Sequence, residues 1–114
     1  LRVIIKEEEA SWMPHPLNKE VKIKVLISKR EHNADITCML VKIGRGLEIP
    51  EHIHEKQDDI IYPLSGRFTM WVDGVGEFEV EKGVIVRVPK GTKHKILKIH
   101  EDTVLLDVFS PALL

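Results

Sequence analysis

The chain has 114 residues, 43% of them hydrophobic, and its 17 Lys plus Arg nearly balance 18 Asp plus Glu, for a formal charge of −1. That length supports one domain over residues 1–114, large enough to bury a core without disulfide or metal staples. Charges of both signs are spread along the chain, which offers no basic face to nucleic acid, and the longest apolar runs are too short to cross a bilayer. Glu7, Glu8 and Glu9 follow the first apolar run closely, a pattern unlike a signal peptide. The lone Cys38 has no internal disulfide partner and reads as a small apolar residue in a reducing compartment. Together these features predict a cytoplasmic protein that works without nucleic acid or membrane.

Residues 7–20, with Pro14, Pro16 and Asn18, read as an irregular approach to the first long strand. Apolar residues then alternate at Val21, Ile23, Val25 and Ile27, at Ile36, Cys38 and Leu40, at Phe68, Met70 and Val72, at Phe78 and Val80, and at Val84, Val86 and Val88. Turn signals separate these runs: Gly44-Arg45-Gly46, Ser65-Gly66, Asp73-Gly74, Lys82-Gly83 and Pro89-Lys90-Gly91. No segment carries a helical period. Thr103 to Phe109 is apolar on both parities except at Asp107, as expected of a strand covered on both sides. The pattern predicts an all-β chain folded as an antiparallel double sheet, a sandwich or barrel.

Chemistry enters at His52-Ile53-His54. Residues i and i+2 of a strand share a face, so two imidazoles can converge on one ion. Taken alone the pair is more often solvated histidine than a metal site. Asp58-Asp59 follows at the start of the next expected strand, and His94 lies just beyond the Pro89-Lys90-Gly91 turn. Three imidazoles and a carboxylate suit a divalent transition metal, with Zn, Fe, Mn, Ni and Co all compatible.

These residues resemble the cupins. Gly46, His52, His54, Asp59 and Gly66 follow the spacing of the family's first motif, with Asp59 where Glu or Gln is usual. Gly83, Pro89, Gly91 and His94 follow the second, with Lys98 where an Asn usually closes it. The resemblance covers 46–98, with the motifs at 46–66 and 83–98, and implies a small jelly-roll barrel, the double-stranded β-helix of the RmlC-like proteins. It also implies a metal in the barrel mouth held by His52, His54, Asp59 and His94. Asp is one methylene shorter than Glu, so Asp58 is the alternative to Asp59, and Gln57 a weaker one.

Ile61 to Phe68 and Leu105 to Pro111 are further similar to pectin-degradation cupins that process unsaturated uronates. That similarity implies that Asp107 and Phe109 line the pocket opposite the metal. Where those proteins carry an arginine six residues past the aspartate, this chain has Leu113.

Asp107 also has a reading of its own. A carboxylate among Leu105, Leu106 and Val108 is costly unless it is protonated or paired, so it reads either as a general acid/base beside the metal or as an edge-strand aspartate facing solvent. Phe109 shares its parity. Tyr62 and Trp71 lie on strands flanking the site and combine an apolar body with a polar end, which makes them candidates for substrate contact. Trp12 could cap the barrel or a dimer. Arg45, Arg67 and Arg87 are candidates to neutralise an anionic substrate, although solvated strand charges are the commoner case. His15, His32 and His100 match no motif and read as surface or core residues.

The expectation is therefore a metal-binding cupin that converts a small sugar acid, such as an unsaturated uronate, by tautomerisation or ring opening, with Asp107 moving the proton. Fe(II)-dependent dioxygenation and non-catalytic binding of a small molecule are the alternatives. The edge strands a small sandwich leaves open, the N-terminal run Val3-Ile4-Ile5, which could pair with a partner, and the apolar tail Ala112-Leu113-Leu114 predict a homodimer.

Overall fold

The computed structural model describes residues 2–114. Eight strands carry the fold: β1 (Met13–His15), β2 (Asn18–Ile27), β3 (Thr37–Ile43), β4 (Ile49–His52), β5 (Asp58–Val72), β6 (Gly76–Glu81), β7 (Val86–Val88) and β8 (His94–Ser110). All pairings are antiparallel, in the order β1-β2-β3-β8-β5-β6, with β4 added to β8 and β7 to β5.

Two long strands generate the double layer. β5 and β8 pair along nearly their whole length, from Asp58↔Ser110 to Val72↔His94, and the register slips repeatedly between Pro63 and Met70. On one side of the slips, the first half of β5 and the last half of β8 join β7 and β1-β2-β3. On the other side, their remaining halves join β6 and β4. Extra residues in one strand bend and twist an antiparallel pair, so the same two strands pass from one layer into the other. The layers close on a shared core that includes Met39, Val41, Ile61, Phe68, Met70, Val80, Ile96 and Leu105.

Gly66 sits at the bend. Its φ is +88°, and a Cβ there would lie 2.3 Å from Thr103 Oγ1, 2.5 Å from the Asp102 carbonyl oxygen and 2.7 Å from Thr103 Cα. Ser65-Gly66, read from sequence as a turn between strands, is a bulge inside one strand.

Three other expectations need correction. Residues 13–15 form a hairpin strand with β2 where an irregular approach was expected. One helical turn, α1 (Lys29–His32), occurs, capped by the Ser28 side chain accepting from the Glu31 N–H and by Asn33 in the left-handed region. Four residues are too few for a helical period to register. The run from Val84 pairs only over Val86–Val88, leaving Ile85 exposed. Trp12 lies beneath the ammonium groups of Lys24 and Lys42, 4.7 and 4.4 Å from the ring centre. Among the described residues, no helix is long and apolar enough to cross a membrane.

Candidate metal centre and cavity

His52 ends β4, His94 opens β8, and the two are cross-strand partners. His54 lies two residues beyond β4, and its carbonyl accepts the Gly91 N–H at 2.8 Å, which ties its loop to the turn before β8. Asp59 is the second residue of β5. These elements bring four ligand atoms, one from each of His52, His54, Asp59 and His94, within 4.8 Å of one another. Ring centroids stand 4.2 Å apart for His52 and His94, 5.0 Å for His52 and His54, and 5.5 Å for His54 and His94.

The hydrogen bonds show that this group suits a cation. His52 Nδ1 is 2.8 Å from the Pro50 carbonyl oxygen and His94 Nδ1 is 2.9 Å from that of Thr92. A carbonyl can only accept, so each Nδ1 carries a hydrogen and each neutral ring keeps its Nε2 lone pair for the cluster. His94 Nε2 then faces Asp59 Oδ2 at 3.2 Å, one acceptor against another, with His54 Nε2 at 3.8 Å from the same oxygen. Asp59 Oδ1 is buried and has no hydrogen-bond partner. Lone pairs converging in a half-buried site are stabilised by a positive charge among them. Burial, opposed by the bond to Pro50, lowers the His52 pKa to about 4, which keeps the ring in its ligating, neutral form.

The cluster forms one end of a cavity of about 300 Å³. Asp107 and Phe109 line it, as expected, and Phe109 meets the His54 ring edge-on at 4.9 Å. β8 lies between β3 and β5, so Asp107 is not on an edge: its odd parity sends it inward with Leu105 and Phe109, and it is 9% exposed. Burial first, then the negative charge of Asp59 and a hydrogen bond to it, push the Asp107 carboxyl well above its ordinary range. Burial also pushes Asp59 upward, but its neighbours Asp107, His94 and His54 together outweigh it and hold Asp59 low. Of the two, Asp107 is the one biased toward its protonated form. Asp107 Oδ1 has no protein partner.

The remaining candidates fall outside the cavity wall. Asp58 points away from the cluster: its carboxylate accepts from Arg87 Nε at 3.1 Å and from the Lys90 N–H at 3.0 Å, bonds that keep its pKa low. Gln57 reaches the Ala112 carbonyl. Tyr62 is 40% exposed, and Trp71 packs under Lys95, 5.2 Å from the ring centre. Neither lines the cavity, a correction with a geometric cause. Inward positions of β5 are odd at Asp59, Ile61 and Pro63 but even at Phe68, Met70 and Val72, because the bulges reverse parity. Tyr62 is even before the reversal and Trp71 odd after it, so both face out. Arg45 also lies outside the wall, as do Arg67, paired with Glu79, and Arg87, paired with Asp58.

Two parts of the wall were not anticipated. His15 lines the cavity, carried there by the β1–β2 hairpin; it belongs to no motif, and the only sequence signal was its place between Pro14 and Pro16. Its pKa is lowered, by burial first and then by His54. Leu113 and Leu114 also line the cavity. Buried Thr37 anchors them, its Oγ1 accepting the N–H groups of Leu113 and Leu114 at 3.0 and 2.9 Å, while the Lys29 N–H donates to the Leu114 carbonyl oxygen at 2.7 Å. The tail is thus tied to its own chain, with Leu113 and Leu114 still 38% and 46% exposed, which weakens one of the grounds for a dimer.

Comparison with known proteins agrees with this geometry. An uncharacterized protein of Streptomyces coelicolor is 42% identical over 82 residues, covering 72% of this chain and 74% of that one. The pectin degradation protein KdgF of Dickeya dadantii is 25% identical over 105 residues, covering 92% and 89%. The structure of KdgF from Halomonas sp. superposes with a TM-score of 0.79 at 25% identity, covering 96% of this chain and 94% of that one. Residues 39–109, which hold the four-residue cluster, Asp107 and Phe109, match the Cupin domain family (Cupin_2), and the chain belongs to that family.

Proposed function

We propose that this protein is a metal-dependent enzyme that moves a proton within a small carbonyl substrate, a keto–enol conversion or ring opening without redox change. The observation that carries this reading is Asp107: a buried carboxyl with an unpartnered oxygen, in the same cavity as a cluster suited to a cation. His52, His54, Asp59 and His94 would hold the metal, which when bound supplies a Lewis acid for a substrate oxygen. The chain supplies the rest. Asp59 keeps the proton on Asp107 by accepting its hydrogen bond and repelling its anion. Asp107 hands that proton to the enol carbon; a C–H bond forms, the enol O–H bond breaks, and the hydroxyl proton replaces the one spent. One proton passes from oxygen to carbon, and no oxidant is consumed. Phe109 and the apolar wall exclude the water that would otherwise solvate the carboxyl.

Similarity to a pectin degradation protein supports an unsaturated uronate as the first substrate to try. Against a sugar acid stands the wall, where Leu113 is found and, among the described residues, no Lys or Arg. The unpaired Cys38 fits a reducing, cytoplasmic setting, and the exposed Val3 and Ile4 fit a homodimer.

The test is conversion of a 4,5-unsaturated uronate and deuterium exchange into enolisable ketones, each with and without oxygen. Asp107→Asn is expected to lower turnover by about 10²- to 10⁴-fold, with metal content unchanged. Turnover that requires oxygen would replace this reading with a dioxygenase, and tight binding without turnover would replace it with a binding module.

A further inference from the structure

The chemistry of the cavity wall narrows what can occupy it. Polar side chains are confined to the metal cluster, Asp107 and His15; among the described residues no Lys, Arg, Ser, Thr, Asn or Gln lines the cavity. Away from the cluster the surface is aliphatic, including Leu17, Ile53, Val41, Leu105, Leu113 and Leu114. A polyhydroxylated body placed there would exchange hydrogen bonds with water for contact with methyl groups, leaving each buried hydroxyl without a partner. An apolar body would lose nothing and would displace water from apolar surface.

His15 differs in kind from the histidines of the cluster. The Leu17 N–H donates to its Nδ1 at 3.0 Å, so that nitrogen holds a lone pair and the hydrogen of the neutral ring is on Nε2. His52 and His94 carry the opposite tautomer, with Nδ1 on a carbonyl and Nε2 free to ligate. His15 therefore has no lone pair to give a metal but has one N–H to give a ligand. It lines the same cavity as His54 and Asp59, where an oxygenated ligand head would meet the cluster.

We propose that the substrate is a small carbonyl compound with an apolar body and an oxygenated head, and that His15 is a substrate-binding residue whose Nε2–H donates to an oxygen of that head. This rests on the reading of His52, His54, Asp59 and His94 as metal ligands. The cavity provides for one polar end only, and the tautomer of His15 assigns it to the substrate.

The test uses isothermal titration of the zinc-loaded full chain with three probes: 1-phenylbutane-1,3-dione, pentane-2,4-dione and galacturonate. The phenyl-bearing diketone is expected to bind at least about tenfold more tightly than pentanedione, which has the same head and no body, and galacturonate is expected to bind most weakly. Galacturonate binding as tightly as the phenyl diketone would overturn the substrate class. His15→Phe, with zinc content and melting temperature checked, is expected to weaken both diketones about five- to tenfold, and His15→Gln, which keeps a donor, to recover part of the loss. Unchanged affinity in folded His15→Phe and in a second variant, His15→Leu, would overturn the role of His15. The reaction reading fails separately: the predicted order of binding with no proton exchange in any probe leaves the ligand class standing and removes the tautomerase.

Discussion

Asp58 and Asp59 carry the same side chain one residue apart, and strand alternation separates their roles completely. One braces the turn before β8 through Arg87 and Lys90; the other joins three imidazoles in a half-buried cluster. Because carbonyl acceptors hold the His52 and His94 rings on their far sides, each keeps its orientation when another ligand is lost, but the ligands that remain are too few. Protein purified without chelator or histidine tag is expected to hold about one equivalent of metal, and His52→Ala only a small fraction of it, as read by elemental analysis. Equal metal in both would remove the cluster from consideration. Cys38 lies half-buried on β3, outside the cavity wall, and burial pushes its thiol above the ordinary value. Less thiolate at a given pH means slower alkylation. Iodoacetamide labelling of the native chain near pH 8 is expected to be slower than that of the urea-unfolded chain, with the gap closing as pH rises.

At the level of strands, the bend of β5 over β8 decides which residues see the cavity. Gly66 permits that bend, since any side chain would meet the backbone of residues 102–103 in addition to the strain of its positive φ. Gly66→Ala is expected to destabilise the fold by more than ~2 kcal/mol, measured by urea denaturation; a loss below half that would mean the strands shift to accept a methyl group. The same bend explains what could be read in advance. Period-two alternation carried the all-β class, and paired glycine–proline–histidine spacings pointed to the four cluster residues, because each depends on local parity or a fixed loop; parity alone left Asp107 open between cavity and solvent, and the resemblance pointed it and Phe109 inward. Tyr62 and Trp71 could not be placed that way, since the parity reversal between Pro63 and Met70 is a property of the pairing with β8. Nor could His15, whose position depends on a hairpin folding back across the barrel mouth.

For the whole molecule, the N-terminal run holds the most exposed of the large apolar residues described. Val3 and Ile4 are 78% and 79% exposed. At micromolar concentration the chain is expected to elute from size exclusion at twice its 13.1 kDa mass, and Ile4→Glu to return it to the monomer. Elution of the parent chain as a monomer would leave these residues as isolated surface apolar groups.

The two long strands also set the mechanics of the molecule. Since β5 and β8 run unbroken through both layers, the layers share a spine and have no hinge about which to part like a shell. Prying them apart would break the most extensive ladder in the fold, whereas lifting residues 111–114 from Thr37 and Lys29 breaks a handful of hydrogen bonds. The part of the cavity wall that yields at least cost is thus Leu113 and Leu114 rather than either layer.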